Sequence, residues 1–175
     1  EKFEDAMTRL NWTKSYLREL VDRRLNLLFK RQYTGAPIGF QDVFPASVGG
    51  KDTFEWVLAR TLMRPRDLIA FVNEGMNAAD GQPAITLNAL RRSETEFSRK
   101  RRDALVQEWM SAFPSLSAML TFVTSKRKHG FEALDLMDKL EDFCLEVASR
   151  PSAERDPIAS ACNAFVDGKL KPFDV

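Results

Sequence analysis

The chain has 175 residues, 44% apolar and 29% charged, with thirteen phenylalanines and three tryptophans; this is enough apolar material for one sizeable core or two small ones and excludes an unfolded segment. A formal net charge of +1 gives no overall attraction to nucleic acid or membrane, so any basic surface must be local. No apolar run approaches the roughly 20 residues needed to span a bilayer and nothing at the start resembles a signal peptide, which points to a cytoplasmic protein with no membrane partner.

From Asn11 to Lys30, Trp12, Tyr16, Leu17, Leu20, Val21, Leu25, Leu27 and Leu28 recur every three or four positions, the pattern of a long amphipathic helix. Arg24 interrupts that face. Its guanidinium must either snorkel to water or meet an acid or a phosphate. Residues 32–52 hold Gly35, Pro37, Gly39, Pro45, Gly49 and Gly50 and read as a loop with at most a short turn or strand. The end of this loop, Pro45 to Thr53, brushes against the phosphate-binding pattern G-x-x-x-x-G-K-[ST]. Pro45 replaces the first glycine and Asp52 the metal-binding hydroxyl, so the match fails and Asp52 or Thr53 reads as a helix N-cap.

Thr53 to Met63 places Phe54, Val57, Leu58 and Leu62 on one helical face. The residue before Pro65 is pushed out of the α region, so this helix should end near Met63 or Arg64, and Pro65 then suits the first turn of a second helix. Asp67 falls in that first turn, where its charge favours the helix dipole. Leu68, Ile69, Val72 and Met76 form the expected buried face, ending at Gly75 or at Asp80-Gly81. The product is a bent helix pair with Arg64 and Arg66 at the bend. Arginines at a helix N-terminus can hold an anion, phosphate included; the alternative is that they pair with Asp67, Glu55 or Glu74.

Further on, Thr86 can cap a short helix carrying Leu87 and Leu90, and Ser93 with Glu96 offers a capping box for a longer one through Phe97, Leu105 and Trp109 to Phe113-Pro114. Arg91, Arg92, Arg99, Lys100, Arg101 and Arg102 form a basic cluster that could neutralise nucleic-acid phosphates. Glu94, Glu96 and Asp103 are interleaved with it, as on an ordinary solvated helix face. A short helix at Leu116 to Val123, a basic turn at Lys126 with His129, a long helix from Phe131 to Arg150 and a last helix opened by Pro157 and stopped at Gly168 complete the chain. Cys144 and Cys162 lack the paired spacing of a metal site and read as reduced packing residues. One histidine and scattered acids assemble no catalytic group. The expected fold is all-α: a lid-like bundle over residues 1–80, then a second helical unit or winged-helix derivative over 81–175 with few or no strands.

The run Thr61-Leu62-Met63-Arg64-Pro65-Arg66-Asp67-Leu68-Ile69 between two helices, preceded by the Trp12-x4-Leu17-x3-Val21 helix, resembles the region after the nucleotide-binding core in bacterial P-loop ATPases related to the AAA and STAND groups. There a helical lid follows the core and a winged-helix-like region follows the lid; Phe165 to Leu170 looks like the helix end before a wing. The related pattern is Gly-x-Pro followed by Leu. Pro65 and Leu68 match it, while Met63 stands in place of the glycine. The resemblance implies that Arg64, Pro65 and Arg66 contact ATP held by an upstream nucleotide-binding core of the same protein, and that the chain senses nucleotide state and passes it to a partner without being catalytic. Starting at Glu1, the sequence reads as cut from a larger protein. The other class is a free-standing helical module that binds nucleic acid or protein through its basic helix.

Overall fold

The computed structural model describes residues 11–30, 36–125, 133–150 and 156–171; the Lys126 turn with His129 lies outside them. The protein is all-α apart from one minimal hairpin, as its patterning predicts. Two compact units divide between Lys100 and Arg101. The Asp80-Gly81 break is a turn within the first of them.

In the first unit, α1 (Lys14–Lys30) buries Leu17, Val21 and Leu25 completely, while Tyr16 and Leu27 are exposed. The packed stripe is therefore a single row of residues four apart, narrower than the apolar spacing suggests. A short α2 (Phe40–Val43) interrupts the loop, started by the Asp42 carboxylate, which accepts from the Gly39 N–H at 2.8 Å. Strands β1 (Ser47–Val48) and β2 (Lys51–Asp52) pair antiparallel around Gly49 and Gly50, both at positive φ, the conformation that a two-residue hairpin turn demands. The stretch that brushes against a phosphate loop is this hairpin. Asp52 then caps α3 (Thr53–Thr61), its Oδ1 accepting from the Glu55 N–H at 3.0 Å.

Helix α4 (Pro65–Ala78) starts at its proline and buries Leu68, Phe71, Val72 and Gly75; Ile69 and Met76 lie partly exposed at the edge of this face. Gly75 does not end the helix. A Cβ there would stand 3.1 Å from the Phe44 ring and from Ile85 Cδ1, so the glycine permits close approach rather than a turn. Helix α5 (Leu87–Trp109) is one continuous element of 23 residues. Thr86 caps it, accepting from the Ala89 N–H at 3.2 Å, whereas Ser93 is buried within it and donates to the Leu90 carbonyl at 2.7 Å. Back-bonding to the preceding turn lets a serine continue a helix instead of starting one. Ile85, Ala89, Leu90 and Phe97 join the core formed by α1, α3 and α4, where Phe71 meets Trp56 and Phe97 edge to face, with ring centroids 5.9 and 5.3 Å apart.

Among its described residues the regular elements of the second unit are all helical: α6 (Leu116–Thr124), a 3-10 segment (Ala133–Lys139), α7 (Leu140–Ala148) and α8 (Pro157–Val166). The long helix expected before Arg150 is α only from Leu140. Ahead of it Leu134 is exposed, and the inward residues Met137 and Leu140 stand three apart, the repeat of a 3-10 turn. Leu140, Phe143, Cys144, Val147, Ala159 and Cys162 form the core, with Phe122 stacked on Phe143 at 4.5 Å. Asp156 is buried and serves two elements: Oδ1 accepts from the Ile158 N–H to cap α8, and Oδ2 accepts from the Ser115 N–H ahead of α6.

Candidate functional site at the helix junction

Helix α3 stops at Thr61, whose buried hydroxyl donates to the Val57 carbonyl at 3.0 Å. The next two residues are both left-handed, Leu62 at φ 51° and Met63 at φ 54°. Such a conformation costs a side-chain-bearing residue about 1–2 kcal/mol, and two in succession are unusual without glycine. Met63 holds the position where the Gly-x-Pro pattern has its glycine, and it has the backbone a glycine would supply. Leu62, expected on the buried face, is instead 68% exposed because the left-handed turn swings it off that face. No sequence signal marks the strain, since neither residue is one that favours positive φ.

Arg64 then returns to extended backbone, φ −90° and ψ 122°, as a residue before proline must. Its carbonyl accepts the first helical bond, from the Leu68 N–H at 2.9 Å. Both Arg64 and Arg66 are exposed, and neither guanidinium forms an ion pair or hydrogen bond with a described residue. Two of the acids that could have neutralised them are engaged elsewhere: Glu55 by Lys14 at 2.5 Å and Glu74 by Lys100 at 2.8 Å. The third, Asp67, is buried in the first turn of α4. The junction thus presents two cations at the positive end of a 14-residue helix, an electrostatic setting that favours an anion.

The basic cluster on α5 is built differently. Arg99 binds Glu96 through Nε and Nη2 at 3.1 and 2.5 Å, and Lys100 reaches Glu74 on α4. Arg92 donates to the Ala78 carbonyl at 2.7 Å, and Arg102 contacts Asp103 at 3.5 Å. Arg101 is half-buried and also has an interaction partner; Arg91 is exposed. These side chains largely fasten α5 to α4 and to its own acids, and the Arg99 guanidinium beside Glu96 holds that carboxyl below its usual range.

In the second unit Cys144 and Cys162 are free and buried in the same apolar core. Burial pushes the Cys144 thiol up to about 12 and raises that of Cys162, so both stay protonated and unreactive at neutral pH. No group of three or more His, Cys, Asp or Glu side chains among the described residues could hold a metal ion. Nor is any described helix long and apolar enough to cross a membrane.

Comparison with known proteins gives the family of the chain and two distant relatives. The chain is 26% identical over 118 residues to the allergen Alt a 2 of Alternaria alternata, covering 66% of this chain and 62% of that protein. It is 26% identical over 118 residues to the putative transposon gamma-delta 80.3 kDa protein of Escherichia coli strain K12, covering 66% of this chain and 17% of that one. The match therefore spans less than two thirds of either relative. No solved structure matches the chain significantly. Residues 15–106, which run from α1 through the arginine junction into α5 and make up more than half of the 175, match the family of FunZ-associated C-terminal helical domains, and the chain belongs to that family.

Proposed function

We propose that this chain is the C-terminal lid and signal-transmitting module of a larger cytoplasmic P-loop ATPase, sensing nucleotide state without being catalytic itself. The observation that carries the reading is the pair Arg64 and Arg66, exposed at the start of α4 and bonded to no acid among the described residues. Unpaired arginines at a helix N-terminus suit a phosphate supplied from outside the chain, and the nucleotide-binding core of the same protein is the partner that would bring one. The left-handed backbone of Met63 supports the likeness to the Gly-x-Pro pattern despite the missing glycine. The family's description as a C-terminal domain, and the small share of the 80.3 kDa relative that the match covers, support a module within a longer protein.

Coupling needs contacts that differ between nucleotide states, and an arginine that reaches a phosphate in only one state supplies the difference. The test is ATP turnover by the full-length protein with Arg64→Ala and Arg66→Ala, alongside its melting temperature. We expect turnover to fall about tenfold, equivalent to the loss of one charge-assisted contact in the transition state, with the melt unchanged. Unaltered turnover in both variants, or a full-length sequence without a phosphate loop, would overturn the proposal.

A further inference from the structure

Arg24, which breaks the apolar face of α1, resolves neither to open solvent nor to an acid. It sits next to the fully buried Leu25 and is itself half-buried. Its Nη2 donates to Asn73 Oδ1 of α4 at 3.3 Å, and its Nε is closed to solvent without a partner. Nε and Nη2 form the lateral edge of the guanidinium, two parallel donors matched to the two oxygens of a carboxylate. That edge holds only one long bond to a neutral amide.

The same arginine lines an open pocket of about 510 Å³ between α1 and α4, completed by Leu28, Phe29, Asn73, Met76 and Asn77. The volume lies in the range of small-ligand sites, and the lining has their usual make-up of apolar walls with a few polar groups. Phe29 and Met76 also line a neighbouring pocket that runs on past Ile38 and Ile85, giving an apolar ligand room to extend. The charge balance selects the head group. Arg24 is the sole cation among the lining residues, and one guanidinium balances the single charge of a carboxylate rather than a dianion.

We propose that this pocket binds a small carboxylate carried on an apolar body, with the carboxylate on the Nε and Nη2 edge of Arg24 in place of the Asn73 amide and the body against Phe29 and Met76. The site is separate from the arginine junction and does not depend on its role.

Three probes test it by titration into the 175-residue chain while backbone amide resonances are followed: 4-phenylbutyrate, 4-phenylbutanol and inorganic phosphate. Phenylbutyrate should shift amides of Leu25 to Phe29 and Asn73 to Asn77 with a dissociation constant of about 1 mM or below, the alcohol should bind at least about tenfold more weakly, and phosphate should be weakest. Arg24→Met should abolish the preference for acid over alcohol, and Asn73→Ala, which frees the fork, should keep or strengthen it. An alcohol that binds as well as the acid, phosphate that binds more tightly, shifts confined to other regions, or an Arg24→Met variant that retains the acid preference would each overturn the proposal. If Arg24→Met does not fold, the wild-type probe series and Asn73→Ala still decide.

Discussion

The arginine junction and the basic face of α5 carry the same kind of side chain and differ in what surrounds it. Arg64 and Arg66 stand exposed with no acid bonded to them among the described residues, whereas Arg92, Arg99, Lys100 and Arg102 are each tied to a carbonyl or a carboxylate. The larger cluster is thus the poorer candidate for binding a polyanion, because its charges already have partners that a ligand would have to displace. The smaller pair has no bonded partner to displace among the described residues. Density of positive charge in a sequence is a weak guide to where an anion goes; the supply of nearby acids is a better one.

The sharpest way to break this contrast uses two arginines four residues apart, one in the last turn of α3 and one at the N-cap of α4. Arg60 forms an ion pair with Glu94 of α5, donates to the Trp56 carbonyl at 3.2 Å and lies over the Trp56 ring at 3.5 Å. Arg60→Ala should therefore destabilise the chain by about 2 kcal/mol, the sum expected of a partly buried charge-assisted pair and a cation–π contact. Arg64→Ala should stay within about 0.5 kcal/mol, as for a surface residue without contacts. Urea unfolding of both variants measures the difference, and equal losses would mean that Arg64 has structural partners after all.

A smaller effect of opposite sign is expected at the strained turn. Leu62→Gly removes an exposed side chain from a left-handed residue and should stabilise the chain by about 1 kcal/mol, readable as a raised melting temperature. A loss of stability there would show that the leucine packs on something. Smallest of all, Lys100→Gln should cost about 0.5 kcal/mol or less, since the lysine is half exposed although Glu74 is not. The cost should shrink further in 1 M salt, where exposed pairs are screened.

Much of the fold is legible in the residues. Pro65 starts α4, Pro157 starts α8 and Asp52 caps α3, because each acts within one turn of itself. The all-α class follows likewise from apolar spacing, and the positions of Arg64 and Arg66 at a bend follow from Pro65. Misreadings arise where a local signal has two outcomes. Ser93 with Glu96 spells a capping box, yet the buried run through Leu90 and Phe97 holds the helix straight past it. Leu62 has the spacing of the buried face, yet it lies beyond the last helical residue.

The sequence by itself determined which segments are helical and where most of them begin, since propensity, capping and proline geometry are short-range. Only the tertiary structure decided which charges are spent. Whether Glu74 meets Lys100 or Arg66, and whether Arg24 finds an acid or a neutral amide beside a pocket, depends on which residues far apart in the chain are brought within about 4 Å of one another, the range over which an ion pair acts. That range is shorter than one turn of helix, so a small rotation of α1 or α4 would reassign the partners of Arg24 and Glu74 without changing a single element.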